Sequence, residues 1–515
     1  MMPGVAIRAA AAAAALMLAG SGAAASATPA PPPTRGGTLT VALGGNWDTM
    51  DPARYTRAAE RQILYSIYSP LLARDPAFAI TPGLVKSWTV SPDGTRVTLQ
   101  LQHGVRFQDG TPFDAAAVKF NIDRILNPAN GSAFRAGLAS IKAVRVVSSS
   151  AVALDLTGPF TPLLAWFTDG PGFISSPTAV RKWGAQYGRH PVGTGPFSFV
   201  EWVTNDHLAV QRFAGYWEHG LPYLDGLVYR PIPDVTVQVE DLRAGLVNVI
   251  DTVPADQQHA IGADNRFRTL SLAGARWPVL RLNNAIPPFN NKALRQAISY
   301  ALNRDQIVTT VYAGQARPAY GPISPVYQQY FDPTIGRWGI GTNLTQARAK
   351  LAEGGQPQGF TVTLDISTSQ DAARLAQLVK TQAAAAGITV TVQTDDPATL
   401  RERIAAKRYQ ALIGSVTLRP DIDGTMYNYF SSQGTVNSDG YSNPIVDALF
   451  EETRVVPDGP ARVQLYRQLQ HQLVDDAPWT FLAFETLMVG MDRRIHGVPG
   501  IPDTMIRFRA AWMQP

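Results

Sequence analysis

The sequence contains no cysteine, which excludes disulfide staples, thiolate metal sites, a cysteine nucleophile and an acceptor for a lipid anchor in one step. Histidine is sparse: His103, His190, His207, His219, His259, His471 and His496 are far apart, and none forms an i, i+4 pair. No metal-ligating pattern follows from them, and no metal or cofactor is expected. The G-x-S-x-G elbow, H-E-x-x-H, the P-loop and G-x-G-x-x-G are missing as well, so no catalytic motif with a stated mechanism is present. Cationic runs are absent. The 45 Lys and Arg stand against 40 Asp and Glu, a formal charge of +5, and they are scattered, which argues against nucleic acid as a partner. Past the N-terminal segment, no apolar run reaches the ~20 residues of a membrane span.

What is present is a long chain with ample apolar content. With 515 residues, 45% of them hydrophobic, it exceeds the ~250–300 residues at which a single core stops growing, so two or three lobes are expected. Met1 to Ala27 carries one basic residue, Arg8, an alanine-rich stretch through Leu16, Met17 and Leu18, and Ala25-Ser26-Ala27. This reads as a secretory signal peptide over 1–27. Pro29 to Pro33 form a stiff tether, and the first strand is expected over Thr38–Leu43.

The most informative stretch is 91–128, SPDGTRVTLQLQHGVRFQDGTPFDAAAVKFNIDRILNP. Asp93-Gly94 stands between Trp88-Thr89-Val90 and the alternating run Arg96–Leu101, where a two-residue connection with positive φ predicts a hairpin. Asp109-Gly110 turns the chain into Thr111-Pro112-Phe113-Asp114, and Asp114 can cap a helix whose Val118, Ile122, Ile125 and Leu126 share a stripe. The helix ends before Pro128. This run closely resembles the signature of the family 5 extracellular solute-binding proteins of ABC importers, the group with oligopeptide-, dipeptide- and nickel-binding members. Further segments resemble the family in order: Asp51-Pro52, Pro82 to Trp88, Pro191-Val192-Gly193-Thr194-Gly195-Pro196-Phe197, Gly215-Tyr216-Trp217, Leu221 to Asp225, and Leu282-Asn283-Asn284 with Pro287 to Asn290 before a helix over Lys292–Asn303. Gly193-Thr194-Gly195 is read as a structural turn, because Pro196 removes an amide donor and no helix start follows.

The region 360–416 alternates strand and helix: 361–367, 371–386, 388–394, 398–407 and 411–416, an α/β pattern. The resemblance implies an α/β periplasmic-binding-protein-like clamshell (class C, type II), with two principal lobes, a smaller extra lobe and a two-strand hinge. The implied boundaries are 28–75, 191–278 and 486–515 for lobe I, 76–190 for the smaller lobe II, and 279–485 for lobe III. The chain is expected to cross between the principal lobes near Trp277–Asn284 and Ala483–Thr486.

The resemblance also points to site residues. Peptide-binding members carry an aspartate, in the loop matching Arg419-Pro420-Asp421-Ile422-Asp423, that holds the ligand's α-ammonium group. Family members often show a tryptophan and a more regular Asp-Pro pattern here, so either Asp421 or Asp423 fits that position, and each also suits a turn or a helix cap. Asn46 and Trp47 after the first strand, Trp277 at a crossing, and Arg419 complete the expected ligand-binding set, aromatic residues giving rigid contact area at little entropy cost. Trp88, Trp217 and Trp479 are read as core. No catalytic residue is expected.

The function implied is a periplasmic substrate-binding protein, secreted and not lipid-anchored, a monomer that captures a small solute by lobe closure and delivers it to the transmembrane subunits of an ABC permease. A peptide is the leading solute. An opine, sugar or metal chelate on the same fold, a periplasmic hydrolase, and a sensor-type binding protein are the alternatives. Turnover of candidate peptides separates the hydrolase; neighbouring permease or sensor-kinase genes separate transport from sensing.

Overall fold

The computed structural model describes residues 32–338, 343–417, 419 and 421–515; the signal peptide and the start of the proline tether lie outside the described residues. In chain order the strands begin with β1 (Thr38–Leu43), β2 (Leu72–Arg74), β3 (Ile80–Pro82), β4 (Val85–Val90), β5 (Arg96–Leu101), β6 (Ile141–Ser148) and β7 (Ala151–Leu156). They continue with β8 (Phe197–Val203), β9 (His207–Arg212), β10 (Gly226–Pro231), β11 (Val249–Ile250) and β12 (Phe267–Leu282). The last eight described are β13 (Ala316–Pro318), β14 (Thr361–Ser367), β15 (Thr389–Asp395), β16 (Ala411–Thr417), β17 (Trp479–Phe481), β18 (Ala483–Asp492), β19 (Ile495–His496) and β20 (Trp512–Met513).

One sheet runs through the molecule in the order β15-β14-β16-β12-β18-β11-β1-β10-β9-β8. On one side of it β14 pairs in parallel with β15 and β16; on the other β1 pairs in parallel with β10 and β11. Among the described strands, the two halves of the sheet are joined through the long antiparallel pair β12 and β18. Residues 267–272 of β12 pair with β18, while 276–282 turn to β16, and the register shifts between Leu272 and Arg276. Gly274 sits inside that irregularity at φ +67°, and a Cβ there would lie 2.7 Å from the Ser324 hydroxyl. Only glycine takes this bend without strain and without a clash.

A separate four-stranded sheet, β4-β5-β7-β6, includes the informative stretch through β5. The β4–β5 connection is longer than two residues: Ser91 N–H bonds Arg96 C=O, and the five residues 91–95 form the loop with Gly94 at φ +68°. Asp93 closes it by accepting from the Ser91 hydroxyl and from the Thr95 amide and hydroxyl, so its role is local turn chemistry. Asp114 accepts from the Ala117 amide at 2.9 Å and caps helix Ala115–Leu126. Val118, Ile122 and Ile125 are buried and Leu126 packs at the edge. Helix Lys292–Ala301 stops two residues short of the expected Asn303, because Asn303 is used instead to cap the next helix, Arg304–Val311, through the Gln306 amide. Gly193 and Gly195 lie against the Ile67 carbonyl with no room for a Cβ, a packing reason for the glycines.

Three large apolar clusters result. The first joins β1, β10 and the four-stranded sheet through Leu39, Val41, Leu99, Ile122 and Leu154. The second fills the space between β14 and helices Lys292–Ala301 and Gln370–Ala386. The third gathers Trp277, Tyr327, Ile422, Met426, Tyr466 and Trp479, and also takes in Phe78 from the β2–β3 turn.

Candidate ligand cleft

The loop leaving β16 is held from both ends. Tyr327 donates its hydroxyl to the Arg419 carbonyl at 2.6 Å, and the Arg419 amide donates to the Thr425 hydroxyl at 3.3 Å. Asp421 is the N-cap of helix Ile422–Phe430, accepting from the Asp423 amide at 2.8 Å. That position satisfies an orphan amide and places negative charge at the helix N-terminus. The half-buried Asp421 carboxylate also lies 3.6 Å from Arg462. Burial alone would lower the Arg462 guanidinium; Asp421 leads the neighbours that raise it instead.

Asp423 has a different environment. Its side chain is 3% exposed, and Arg454 engages both oxygens, at 2.7 Å from Nε and 3.2 Å from Nη2. Burial pushes the Asp423 carboxyl up, against the pull of Arg454. The guanidinium stacks 3.2 Å from the Tyr427 ring centre and 5.7 Å from that of Phe160. Thr161, next along, donates its amide to the Arg454 carbonyl at 2.8 Å and its hydroxyl to the Val456 carbonyl at 2.9 Å. The segment following β7 is thereby fastened to the end of helix Pro444–Val455.

Trp277 is 3% exposed, opposite Val416 in the ladder and edge-on to Phe484 at 6.0 Å. It therefore stands beside the start of the Arg419 loop. Asn46 and Trp47 lie elsewhere, after β1 in the other half of the sheet. Asn46 is half-buried, bonds Asn205 through its amide at 2.7 Å and accepts from the Trp47 amide. Trp47 packs into the first cluster. The loop carrying both is fixed by Asp251, which accepts from the Gly44 amide at 2.8 Å. Trp47 and Trp277 each hold a buried indole N–H that makes no hydrogen bond among the described residues. Trp88 and Trp217 pack against the first cluster, and Trp479 is buried with its indole donating to Asp439.

Two cavities flank the β2–β3 hairpin. One of about 630 Å³ is lined by Tyr65, Arg74, Trp217, Ile501, Arg507 and Arg509 among others, a size suited to a small solute. The second, about 310 Å³, lies along the crossing strands at Gly274 and Thr486 and is bordered by Arg317 and Val326. Pro76 lines both. Arg507 is neutralised by Asp503, and Arg509 by Glu218. Arg317 and Arg419 are exposed and make no ion pair among the described residues. No group of three His, Cys, Asp or Glu among the described residues is placed to hold a metal ion, and no described helix is long and apolar enough to cross a membrane. Phe78, Tyr327, Arg454 and Thr161 carry the geometry here without standing in any motif; each is defined by a partner far away in the chain.

Residues 79–437 match the family model described as bacterial extracellular solute-binding proteins, family 5 Middle. The glutathione-binding protein GsiB of Shigella flexneri is 30% identical over 489 residues, covering 92% of this chain and 94% of the relative. Among solved structures, the periplasmic binding protein DppA of Helicobacter pylori, in complex with the peptide STSA, superposes with a TM-score of 0.81 at 24% identity, over 94% of this chain and 99% of that one. AgaA of A. tumefaciens R10, in complex with agropinic acid, gives a TM-score of 0.81 at 24% identity, over 93% and 99%. The α/β fold is that of these binding proteins over nearly the whole chain.

Proposed function

The chain belongs to family 5 of the bacterial extracellular solute-binding proteins, a group of non-catalytic binding proteins, and from that membership we propose that it captures a short, carboxylate-bearing peptide and presents it to an ABC permease in the periplasm. The observation that carries the reading is the full-length similarity to glutathione-binding proteins, joined to two exposed guanidinium groups without an ion-pair partner among the described residues, Arg317 at the edge of the smaller cavity and Arg419 on the loop after β16. Glutathione is a tripeptide-like solute with two carboxylates and one ammonium group. Guanidinium forks suit carboxylates in pairs of parallel hydrogen bonds.

Within this reading the two halves of the long sheet act as jaws about β12 and β18, with the boundaries given above, and Trp277 backs the cleft. Asp421 serves the ammonium end, because its side chain is 16% exposed against 3% for Asp423 and its arginine, Arg462, stands off at 3.6 Å where Arg454 binds Asp423 at 2.7 Å. Asn46 and Trp47 meet the solute from the opposite jaw. Peptide main-chain groups and termini then supply the fixed contacts, which tolerates varied side chains. The agropinic acid complex of AgaA favours one second reading, an opine on the same scaffold.

Calorimetric titration with glutathione, its dimethyl ester and its N-acetyl form tests this. Binding of glutathione with at least tenfold loss for each blocked form, about 1.4 kcal/mol, supports the assignment. Heat from agropinic acid and none from glutathione or alanine tripeptide rejects the peptide class.

A further inference from the structure

A third cavity, of about 790 Å³, opens where β12 begins and β18 ends. Its wall holds Arg243, Arg266, Arg493, Arg494 and His496, with Asp492 as the one carboxylate side chain among the described residues. The cations are gathered from three segments: Arg243 from the last turn of helix Val235–Ala244, Arg266 from the position before β12, and the others from the passage of β18 into β19. The backbone fixes their spacing. The Arg493 amide donates to the Arg266 carbonyl at 2.9 Å, and Arg266 Nη1 donates to the Arg243 carbonyl at 3.2 Å, which also covers the negative end of that helix. His496 stacks on Trp512, its partner in the β19–β20 ladder, with ring centres 4.4 Å apart. Gly274, where β12 bends, is seven residues past Phe267, roughly 23 Å of strand. A ligand here therefore stays out of the space between the half-sheets.

The acidic neighbours do not use up this charge. Arg243 pairs with Glu240, Arg266 with Asp264 and Arg494 with Asp492, each at 2.8 Å, and in every pair one side chain is more than half exposed. Pairs so open to water hold little energy, and a guanidinium has five N–H donors, so one carboxylate leaves donors over. Two groups have no acidic partner at all. Arg493 is exposed and makes no ion pair among the described residues, reaching the Asn265 carbonyl at 3.4 Å, and His496 Nε2 makes no hydrogen bond among them. Four guanidiniums around one hollow suit an anion with several charged oxygens, because each planar fork meets phosphate oxygens in pairs. The volume is that of a small-molecule site.

We propose that this cavity is a second binding site, separate from the solute cleft, for an anion carrying clustered phosphate groups. It does not rest on the peptide reading. The same chemistry is offered by a soluble diphosphate and by a surface of anionic phospholipid headgroups.

Titration calorimetry of the full chain with pyrophosphate and with orthophosphate, at constant ionic strength and without peptide, reads the site. Pyrophosphate should bind at least tenfold more tightly, since it spans more than one guanidinium. Arg266→Glu and Arg493→Glu, both at exposed positions, should each weaken it at least fivefold with thermal melts unchanged, while Arg106→Glu, exposed and past β5, should leave it as in wild type. Sedimentation with phosphatidylcholine vesicles, with and without phosphatidylglycerol, identifies the source. Pyrophosphate binding without sedimentation makes the ligand soluble; sedimentation with the anionic vesicles that is lost in Arg493→Glu places the phosphates on a lipid surface; either result supports the site. Neither heat from millimolar pyrophosphate nor sedimentation overturns the proposal. Equal affinity for the two phosphates overturns it too, as does an equal loss in Arg106→Glu, which marks general charge attraction.

Discussion

Removing the Asp423 carboxylate tests how the loop carrying Asp421 is held. Asp423→Ala strips two charge-assisted hydrogen bonds from Arg454, at 2.7 and 3.2 Å, in a pair whose side chains are 3% and 22% exposed. Breaking a buried pair by deleting one partner costs about 3–5 kcal/mol, chiefly because the remaining charge stays desolvated. Arg454 has relief that a fully buried cation lacks: its partial exposure, the Tyr427 ring face at 3.2 Å and Glu451 at 3.9 Å. The expected cost therefore sits at the lower end, about 3 kcal/mol. Asp423→Ala with Arg454→Met removes both charges and keeps apolar bulk, and should recover all but about 1 kcal/mol, since a buried ion pair gains little over packed apolar groups.

Hydrogen exchange of helix Ile422–Phe430 reads this directly, because local opening is measured apart from the rest of a large chain. Protection should fall in the single variant and return by about 2 kcal/mol in the double, the non-additive behaviour of residues in contact. A single-variant loss below about 1 kcal/mol, or strictly additive behaviour, refutes the account of Asp423 as a brace. Glutathione titration of the same proteins adds a second readout. A brace predicts that affinity returns with loop protection in the double variant. Recovery of protection without recovery of affinity would make Asp423 a solute contact and displace Asp421 from that role.

Acid sensitivity follows from Asp503. Burial would raise its carboxyl, but Arg507 and Arg61 beside it hold it below the usual carboxylate range. A depressed folded pKa gives stability that is complete above the unfolded value, about 3.9, and is lost as pH falls through the folded value. Melting curves between pH 2 and 7 should show that acid limb in wild type and flatten it in Asp503→Asn; an identical slope refutes the pairing. At the crossing strands, Gly274→Ala meets both the positive φ and the Ser324 hydroxyl at 2.7 Å. It should destabilise by about 1–3 kcal/mol in thermal or urea melts, and a neutral result would show that the bulge relaxes. Asp114→Ala should cost about 1 kcal/mol through loss of the Ala117 cap, read by exchange of helix Ala115–Leu126. Arg317→Ala and Arg419→Ala should each weaken glutathione binding at least fivefold while leaving the dimethyl ester unchanged; equal losses for both ligands would remove the carboxylate contact.

The strands and helices of the β14–β16 region were legible to within two residues because each is short, amphipathic and punctuated by a local signal. Gly387 takes φ +102° where helix Gln370–Ala386 stops, and Asp396 caps the next helix through the Ala398 and Thr399 amides. Such signals act between neighbours in the chain, which is where sequence periodicity carries information. The β4–β5 turn shows the limit even there: Asp-Gly named a turn, yet the loop takes five residues, 91–95, with Asp93 accepting from Ser91 and Thr95 on either side of it. The site is a matter of distant partnerships. Asp421 and Asp423 stand two residues apart at the start of one helix, and the arginines that reach them from downstream make them unequal, Arg462 at 3.6 Å from the first and Arg454 at 2.7 Å from the second. Phe78 is the opposite case, since its turn, at φ +65°, is local but its ring packs in a cluster built from residues 277 to 501. A family resemblance transfers the loop that carries a function. How far each carboxylate in that loop is spent on the fold is decided by side chains the loop itself does not contain.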